Sequence, residues 1–105
     1  MSKKAVLVTG GFDPIHKGHI EYLREAKKLG DILYVGLNSD HWLTRKKGKP
    51  FMDLENRAMV IQSLDMVDEV IIFNDEDNSS CHAIEQTLLF YDEVIFANEI
   101  GRAHV

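Results

Sequence analysis

Short apolar runs alternate with segments of helical periodicity, and this alternation most constrains the fold. The runs lie at residues 4–9, 32–37, 70–73 and 94–97. Each is apolar at consecutive positions and is too short for a helix, as is typical of strands buried on both faces. Strands that alternate with helices form a parallel sheet through right-handed crossovers. The sequence therefore predicts an α/β protein with a parallel sheet and helices on both of its faces.

Three helices are predicted between and after these strands, over residues 18–29, 54–64 and 81–90. Gly30 follows the first helix as a C′ residue, and Asp53 and Ser80 precede the other two as N-caps. In the third helix we expect Ala83, Ile84 and Leu88 to face the core, with Thr87 as a further candidate.

Two segments between these elements have the composition of loops. Residues 38–50 are polar and basic, and we predict a loop there with at most one helical turn, at 40–43. Residues 74–80 are acidic and rich in turn formers. The loop after the second strand lies on the same sheet edge as the end of the first strand, where ligands bind in such sheets.

Length and charge exclude several classes of protein. A chain of 105 residues predicts one small domain, and a net charge of −5 argues against a general nucleic-acid or membrane-surface binder. The one cysteine, Cys81, cannot form an internal disulfide, which favours a reduced, cytoplasmic setting. No apolar run approaches the roughly 20 residues of a membrane span, and no signal-peptide core follows Met1.

The last six residues, 100–105, do not continue the pattern. They also resemble one translated frame of a common sequencing adapter. We therefore expect a domain over residues 1–99 that is truncated at its C-terminus, followed by a non-native tail at 100–105. The alternative is a short disordered tail.

The bend after the first strand has the composition of a phosphate-binding site. Gly10 and Gly11 end the strand, and His16, Gly18 and His19 lead into the first helix. Glycines allow backbone to approach a phosphate closely, each imidazole can donate an N–H, and a helix N-terminus favours anions. Gly18 keeps the space between the two histidines open. The bend therefore predicts a site that holds phosphate.

Other interpretations of the bend are weaker. An isolated histidine is more often a cap or a solvent-facing residue, but a pair between two glycines and a helix favours a ligand. The dinucleotide fingerprint G-x-G-x-x-G, the P-loop G-K-[ST] and the zinc-protease H-E-x-x-H are absent from it. Asp13 lies close by, where it could orient a histidine, a backbone turn or a metal-bound water.

The segment 10–19, with its H-x-G-H sequence, resembles the cytidylyltransferase-like nucleotidyltransferases. The resemblance covers residues 4–98 and continues in family order through 26–31, 38–40, 45–48, 55–57 and 67–70. Within the family the chain is similar to the glycerol-3-phosphate cytidylyltransferases and the heptose 1-phosphate adenylyltransferases. The resemblance implies a Rossmann-like sheet.

The resemblance also implies a reaction. A nucleoside monophosphate moves from CTP or ATP to a small phosphorylated acceptor, and pyrophosphate is released. Mg²⁺ is expected as cofactor, held mainly by the nucleotide phosphates and by no protein metal site. The expected partners are the nucleotide, the acceptor and, as in many relatives, a second copy in a homodimer. Nucleic acid and membrane are not expected partners.

Residue roles carry over from the family by position. The residues expected to bind nucleotide are Gly10, Gly11, Phe12, His16, Gly18 and His19. The residues expected to act in catalysis are His16, His19, Lys46 and Lys47, the histidines on the α- and β-phosphates and the lysines as a flexible loop over the ligands. The residues expected to line or support the acceptor side are Asp13, Asp40 and Arg57.

Several alternatives stay open. The basic run 45–49 is also typical of a solvated loop, and Arg57 could be a surface residue paired with Asp53 or Glu55. Trp42 could pack the loop or contact ligand. The chain also departs from the family, because the Ser/Thr-rich segment that binds triphosphate and the glycine-aspartate element after the fourth strand are absent.

Three functions are to be considered for such a chain. The first is a nucleotidyltransferase, and the second is a nucleotide-binding domain without turnover. The third, a fragment of a class I aminoacyl-tRNA synthetase, is disfavoured because the chain lacks a K-M-S-K-S-like loop and a basic surface for RNA.

Overall fold

The computed structural model describes residues 3–97 and the backbone of residues 102–104. The elements in chain order are β1 (Lys4–Gly10), α1 (Lys17–Lys27), β2 (Ile32–Leu37), α2 (Asp40–Lys47), α3 (Leu54–Gln62), β3 (Glu69–Ile72), α4 (Cys81–Leu88), β4 (Glu93–Ala97) and β5 (Arg102–His104). The sheet order is β3-β2-β1-β4-β5, and β1 to β4 are all parallel. The predicted parallel α/β sheet is confirmed.

The strands are buried because helices cover both faces of the sheet. In β1, the side chains of residues 5–8 are all fully buried. Val6 and Val8 pack on one face with Leu23 of α1 and Ile61 of α3. Ala5, Leu7 and Val94 pack on the other face with Ala83 of α4. Consecutive apolar residues in β1 therefore serve two separate halves of the core.

The strand order reverses at β1, which has β2 on one side and β4 on the other. The connection from β1 passes through α1 on one face, whereas α4 lies on the opposite face. A crevice forms at such a reversal, outside the carboxyl ends of the strands. The bend at residues 11–16 follows β1 and therefore opens onto this crevice.

The loop predicted over residues 38–50 is wrong, because residues 40–47 form the helix α2. Ser39 is its N-cap, and its Oγ accepts a hydrogen bond of 3.0 Å from the Trp42 N–H. The basic residues 45–47 lie in the last turn, where they interact favourably with the negative end of the helix dipole. Gly48, with φ of 87°, ends the helix. A well-capped helix therefore forms in a segment whose polar, basic composition predicted a loop.

The start of α4 and most of its inward face are where they were predicted, but the side-chain cap from Ser80 is absent and Leu88 does not face the core. Ser80 makes no side-chain cap, and its Oγ lies 2.9 Å from the Oγ1 of Thr9 instead. Ala83 and Thr87 are fully buried, whereas Leu88 is exposed. The prediction that Leu88 faces the core is therefore wrong, because Leu88 lies about 100° around the helix from the buried Thr87.

The strand β5 was not predicted. It pairs antiparallel with β4 and extends the sheet at that edge, so the alternative of a disordered tail does not describe residues 102–104. Residues 98–101 and 105 lie outside the described residues. The domain boundary at 99 and the non-native origin of residues 100–105 stay predictions.

Within the described part of the chain, none of the helices is long and apolar enough to cross a lipid bilayer.

Candidate functional site

Two stacked imidazoles stand at the beginning of α1. The centroids of the His16 and His19 rings are 3.9 Å apart, with 25° between their planes. His16 is the N-cap of α1, and its Nδ1 accepts a hydrogen bond of 3.0 Å from the Gly18 N–H. In return, the Nδ1 of His19 accepts one of 3.2 Å from the His16 N–H. The pair is a reciprocal capping box, here built from histidines.

These two bonds decide which ring nitrogen carries the proton. Because both Nδ1 atoms accept hydrogen bonds, each neutral ring has its proton on Nε2. His16 is exposed and His19 is half-buried, with its ring edge-on to Phe12 at 5.1 Å. The alternative of a capping histidine is therefore observed as well. It is compatible with ligand binding, because capping uses Nδ1 and donation to a phosphate uses Nε2.

The glycines of the bend are required by packing. A Cβ on Gly11 would lie 2.8 Å from Cδ2 of Leu43, and one on Gly18 would lie 2.9 Å from Cε1 of His16. A Cβ on Gly10 would lie 3.1 Å from the ring of Phe12. Packing alone therefore disfavours a Cβ at Gly10 and Gly11, and the expectation that these glycines also let backbone approach a phosphate stays a prediction. They admit the Phe12 ring and the helix α2.

Phe12 has a left-handed backbone with φ of 51°, and it precedes a cis peptide bond between Asp13 and Pro14. A large non-glycine residue in the left-handed conformation costs of order 1–3 kcal/mol and persists only when its surroundings hold it. Phe12 is only 6% exposed, so the core supplies those surroundings. The buried Phe12 side chain therefore anchors the bend to the core.

The side chain of Asp13 is buried, and it fixes a second segment against the bend. Its Oδ2 accepts from the Phe51 N–H at 2.7 Å, and its Oδ1 accepts from the Met52 N–H at 2.6 Å. Burial raises the pKa of Asp13, but hydrogen bonds from Lys47 and from these two N–H groups outweigh it and lower the pKa below its usual value. Of the roles considered for Asp13, the one observed is orientation of a backbone turn.

The two candidate lysines lie in the last turn of α2, and the structure separates them. The Nζ of Lys47 is 2.7 Å from Oδ2 of Asp13 and donates to the Asp13 carbonyl at 2.7 Å. The Nζ of Lys46 lies 5.4 Å from the centroid of the Trp42 ring. Trp42 itself is half-buried, and Cζ3 of its ring lies 3.9 Å from where a Cβ on Gly11 would be. Trp42 therefore packs beside the bend.

Arg57 is buried below the bend, where it donates hydrogen bonds to four acceptors in three segments of the chain. Its guanidinium donates to the carbonyls of Gly11 (2.9 Å), Asn38 (2.8 Å) and Met52 (3.0 Å), and to Oδ1 of Asp40 (2.7 Å). Only 1% of the residue is exposed. The surface pairing of Arg57 with Asp53 or Glu55 is wrong. Arg57 and Asp13 support the bend from within, and they do not line an open surface.

Sequence analysis missed Asp75, which is only 3% exposed. Its carboxylate accepts from the Ser39 N–H and hydroxyl, both at 2.8 Å, and from the Asn38 amide at 3.1 Å. Burial raises the pKa of Asp75, but the bonds from Ser39 and Asn38 outweigh it and lower the pKa. Asp75 thereby holds the N-cap of α2. Its position directly beyond β3, on the ligand edge of the sheet, was the available signal.

An open cleft of about 400 Å³ lies at the same sheet edge, between α2 and the segment after β3. Its polar lining includes Ser39, His41, Arg45 and Asn74. Arg45 donates to the Asp75 carbonyl at 3.0 Å and to the Asn78 side chain at 3.2 Å. This cleft is a concave surface beside α2.

Among residues 3–97, no group of three or more His, Cys, Asp or Glu side chains could hold a metal ion. Near the bend, the carboxylate of Asp13 bonds to Lys47, and that of Asp40 bonds to Arg57 and to the Leu54 N–H. Carboxylates that are already bonded in this way are poor candidates for a metal cage. The donor set fits a divalent cation that arrives with its own phosphate ligands.

Known proteins are similar in sequence to this chain. A sequence model of the family described as "Cytidylyltransferase-like" matches residues 7–97. The chain is 47% identical over 76 residues to the bifunctional protein HldE of Helicobacter pylori strain HPAG1, and 48% identical over 77 residues to that of Geobacter metallireducens. These alignments cover 70% and 71% of the chain. The chain spans 16% of the length of each relative.

A solved structure has a similar fold. It is the crystal structure of the lipopolysaccharide core biosynthesis protein from Thermoplasma volcanium GSS1, with a TM-score of 0.69 and 34% identity. The match covers 83% of this chain and 66% of that chain.

Proposed function

The chain belongs to the cytidylyltransferase-like family of nucleotidyltransferases, and we propose that it transfers a nucleoside monophosphate from CTP or ATP to a small phosphorylated acceptor. The observation that carries the proposal is the stacked pair His16 and His19, with Nδ1 of both rings engaged in the cap of α1. Their Nε2–H groups form a double donor at a helix N-terminus, in the crevice where the strand order reverses.

The proposed reaction needs little covalent chemistry from the protein. A phosphate oxygen of the acceptor attacks the α-phosphorus, the bond from that phosphorus to the bridging oxygen breaks, and pyrophosphate leaves. An ionised phosphate needs no general base, so catalysis consists of positioning and of neutralising negative charge. His16 and His19 donate to the oxygens of the α- and β-phosphates as charge shifts onto them.

We assign the two lysines different tasks. Lys46 is exposed beside Trp42 and is the residue proposed to reach the phosphates. Lys47 is held by Asp13, so it fixes the turn at 50–52 and adds positive charge near the bend. Removing one preorganised cation or donor from such a site commonly costs a factor of about 10²–10³ in rate.

The acceptor is proposed to lie on the α2 side of the bend. Asp40, which is partly exposed, and the cleft between α2 and the segment after β3 support this location. The neighbouring structure belongs to a protein of lipopolysaccharide core biosynthesis, which favours a phosphorylated sugar as acceptor. The choice between CTP and ATP as donor is left to experiment.

Mg²⁺ is proposed as the cofactor, bound mainly by the phosphates of the nucleotide. When bound there, it neutralises charge on the pyrophosphate that leaves. His16, His19 and Lys46 act on the phosphate oxygens, and the carboxylates of Asp13 and Asp40 stay with their basic partners.

The test is a screen for pyrophosphate release, with CTP or ATP and a panel of phosphorylated sugars and polyols, on this chain and on any longer natural version of it. We expect release with one nucleotide and one acceptor class. His16→Ala should abolish the release, whereas His82→Ala, a control on α4 at the other face of the sheet, should not. Nucleotide binding without any release, in all versions, would instead support a binding domain without turnover.

A further inference from the structure

We propose that Arg57 is a positioning residue that aims the backbone N–H of Phe12 at the bound phosphate from behind the bend. The inference rests on the proposed function, in that it takes the bend to be the phosphate site. It differs from the expectation that Arg57 lines or supports the acceptor side.

Arg57 acts on the bend through one peptide bond. Arg57 donates from Nη1 to the Gly11 carbonyl at 2.9 Å. In a planar trans peptide the carbonyl and the N–H of the next residue point in opposite directions. Fixing the Gly11 oxygen toward Arg57 therefore fixes the Phe12 N–H in the opposite direction, away from the buried guanidinium.

The same guanidinium holds the surroundings of that peptide. Nη1 also donates to the Asn38 carbonyl at 2.8 Å, and the Asn38 N–H donates to the Gly10 carbonyl at 3.0 Å. The carbonyls of both glycines are thus tied to the end of β2. These constraints keep Phe12 in its left-handed conformation, with φ of 51°.

The Phe12 N–H is available as a hydrogen-bond donor to a ligand. Within residues 3–97 it makes no hydrogen bond to the protein. A backbone donor that is fixed in direction, beside two imidazoles and a helix N-terminus, completes a cradle for phosphate oxygens. Arg57 thus acts on the ligand only through the peptide that it holds.

Geometry explains why this position needs arginine. Four acceptors surround the side chain, and the planar guanidinium meets them with donors fixed in one plane. A lysine at this position has one nitrogen, which cannot reach the carbonyls of Met52 and Gly11 and the Asp40 carboxylate together. Arg57→Lys therefore keeps the charge and loses the control of the Gly11–Phe12 peptide.

The experiment compares Arg57→Lys with Arg24→Lys, which changes an exposed arginine on α1. Pyrophosphate is added to each protein, and the ¹⁵N–¹H signal of Phe12 is followed. We expect a large shift of this signal in the wild type and in Arg24→Lys, and loss of that response in Arg57→Lys. Where turnover is present, kcat per folded molecule should fall about 10- to 100-fold in Arg57→Lys, because misplacing a group by about 1 Å has this effect.

A second variant tests whether a lost Phe12 response comes from loss of the guanidinium group or from loss of folding. In Arg57→Ala, added guanidinium chloride at low millimolar concentration should restore the Phe12 response, whereas an equal concentration of sodium chloride should not. A Phe12 signal that shifts equally in wild type and Arg57→Lys would overturn the inference, as would full turnover in Arg57→Lys. Absence of pyrophosphate release in the wild type overturns the proposed reaction alone, since the Phe12 response to added pyrophosphate is measured separately.

Discussion

The ammonium of Lys47 lies 2.7 Å from a carboxylate oxygen of Asp13, whose side chain is almost completely buried. One residue belongs to the bend after β1 and the other to the last turn of α2. The ion pair therefore fixes the distance between the histidines and the basic end of α2. It also distinguishes the two neighbouring lysines, because Lys46 has no part in it.

The first prediction concerns this difference between the lysines. Lys47→Ala should lower the midpoint of thermal unfolding, because the buried Asp13 carboxylate loses a charged partner. Lys46→Ala should leave the midpoint unchanged and lower kcat for pyrophosphate release by about 10²- to 10³-fold. Thermal melts and release assays on both variants test this. Equal activity of Lys46→Ala and wild type would contradict the assignment.

The second prediction separates the two roles of His16. Asparagine can cap α1 through its side-chain oxygen but offers no imidazole Nε2–H. We expect His16→Asn to keep nearly wild-type stability and lose turnover by about 10²–10³. His16→Ala should lose the same activity and, in addition, about 1 kcal/mol of stability. Chemical denaturation measures the second effect, and equal stability of the two variants would argue against the cap.

The third prediction concerns the contact between Gly11 and α2. Gly11→Ala places a Cβ 2.8 Å from Leu43 and should destabilise the fold by about 1–3 kcal/mol through overpacking. Leu43→Ala alone should also destabilise it, by cavity formation. If the clash is the cause, adding Gly11→Ala to Leu43→Ala should cost much less than adding it to the wild type. Urea denaturation of the four proteins gives this coupling.

The fourth prediction is a pH dependence of stability that comes from Asp75. Its pKa in the folded state lies below its ordinary value of 3.8, so ionised Asp75 stabilises the fold above that pH. The stabilisation is lost as the pH falls from about 3.8 through the lower, folded-state pKa. Asp75→Asn should cost about 1–3 kcal/mol at pH 7.

A comparison of unfolding free energies at pH 7 and at acidic pH tests whether the charge of Asp75 is the cause. The difference in unfolding free energy between wild type and Asp75→Asn should shrink as the pH is lowered below 3.8. A difference that stays constant on acidification would mean that Asp75 acts without its charge. Glu76→Gln, which changes the exposed carboxylate next along the same loop, is the matched control.

The amino-acid sequence was enough to predict the four parallel strands of the sheet and the position of the bend. Apolar residues at consecutive positions, as in β1, can be satisfied only between two helical layers, and this requirement is local to each strand. The cap formed by His16 and His19 is also local, because its two partners lie one helical turn apart, although the sequence favoured a ligand site over a cap there. Both features depend on residues that are close together in the chain, and features of this kind are visible in the sequence.

The burial of polar residues, and what each of them holds, depends on tertiary structure. Arg57 bonds to Gly11, 46 positions earlier in the chain, and Asp75 holds the cap of α2 through Ser39 across 36 positions. The composition around Arg57 is that of a surface helix, and the composition around Asp75 is that of a solvated loop. Burial of such charges depends on partners from distant strands, which meet only when the parallel sheet brings its carboxyl ends to one edge.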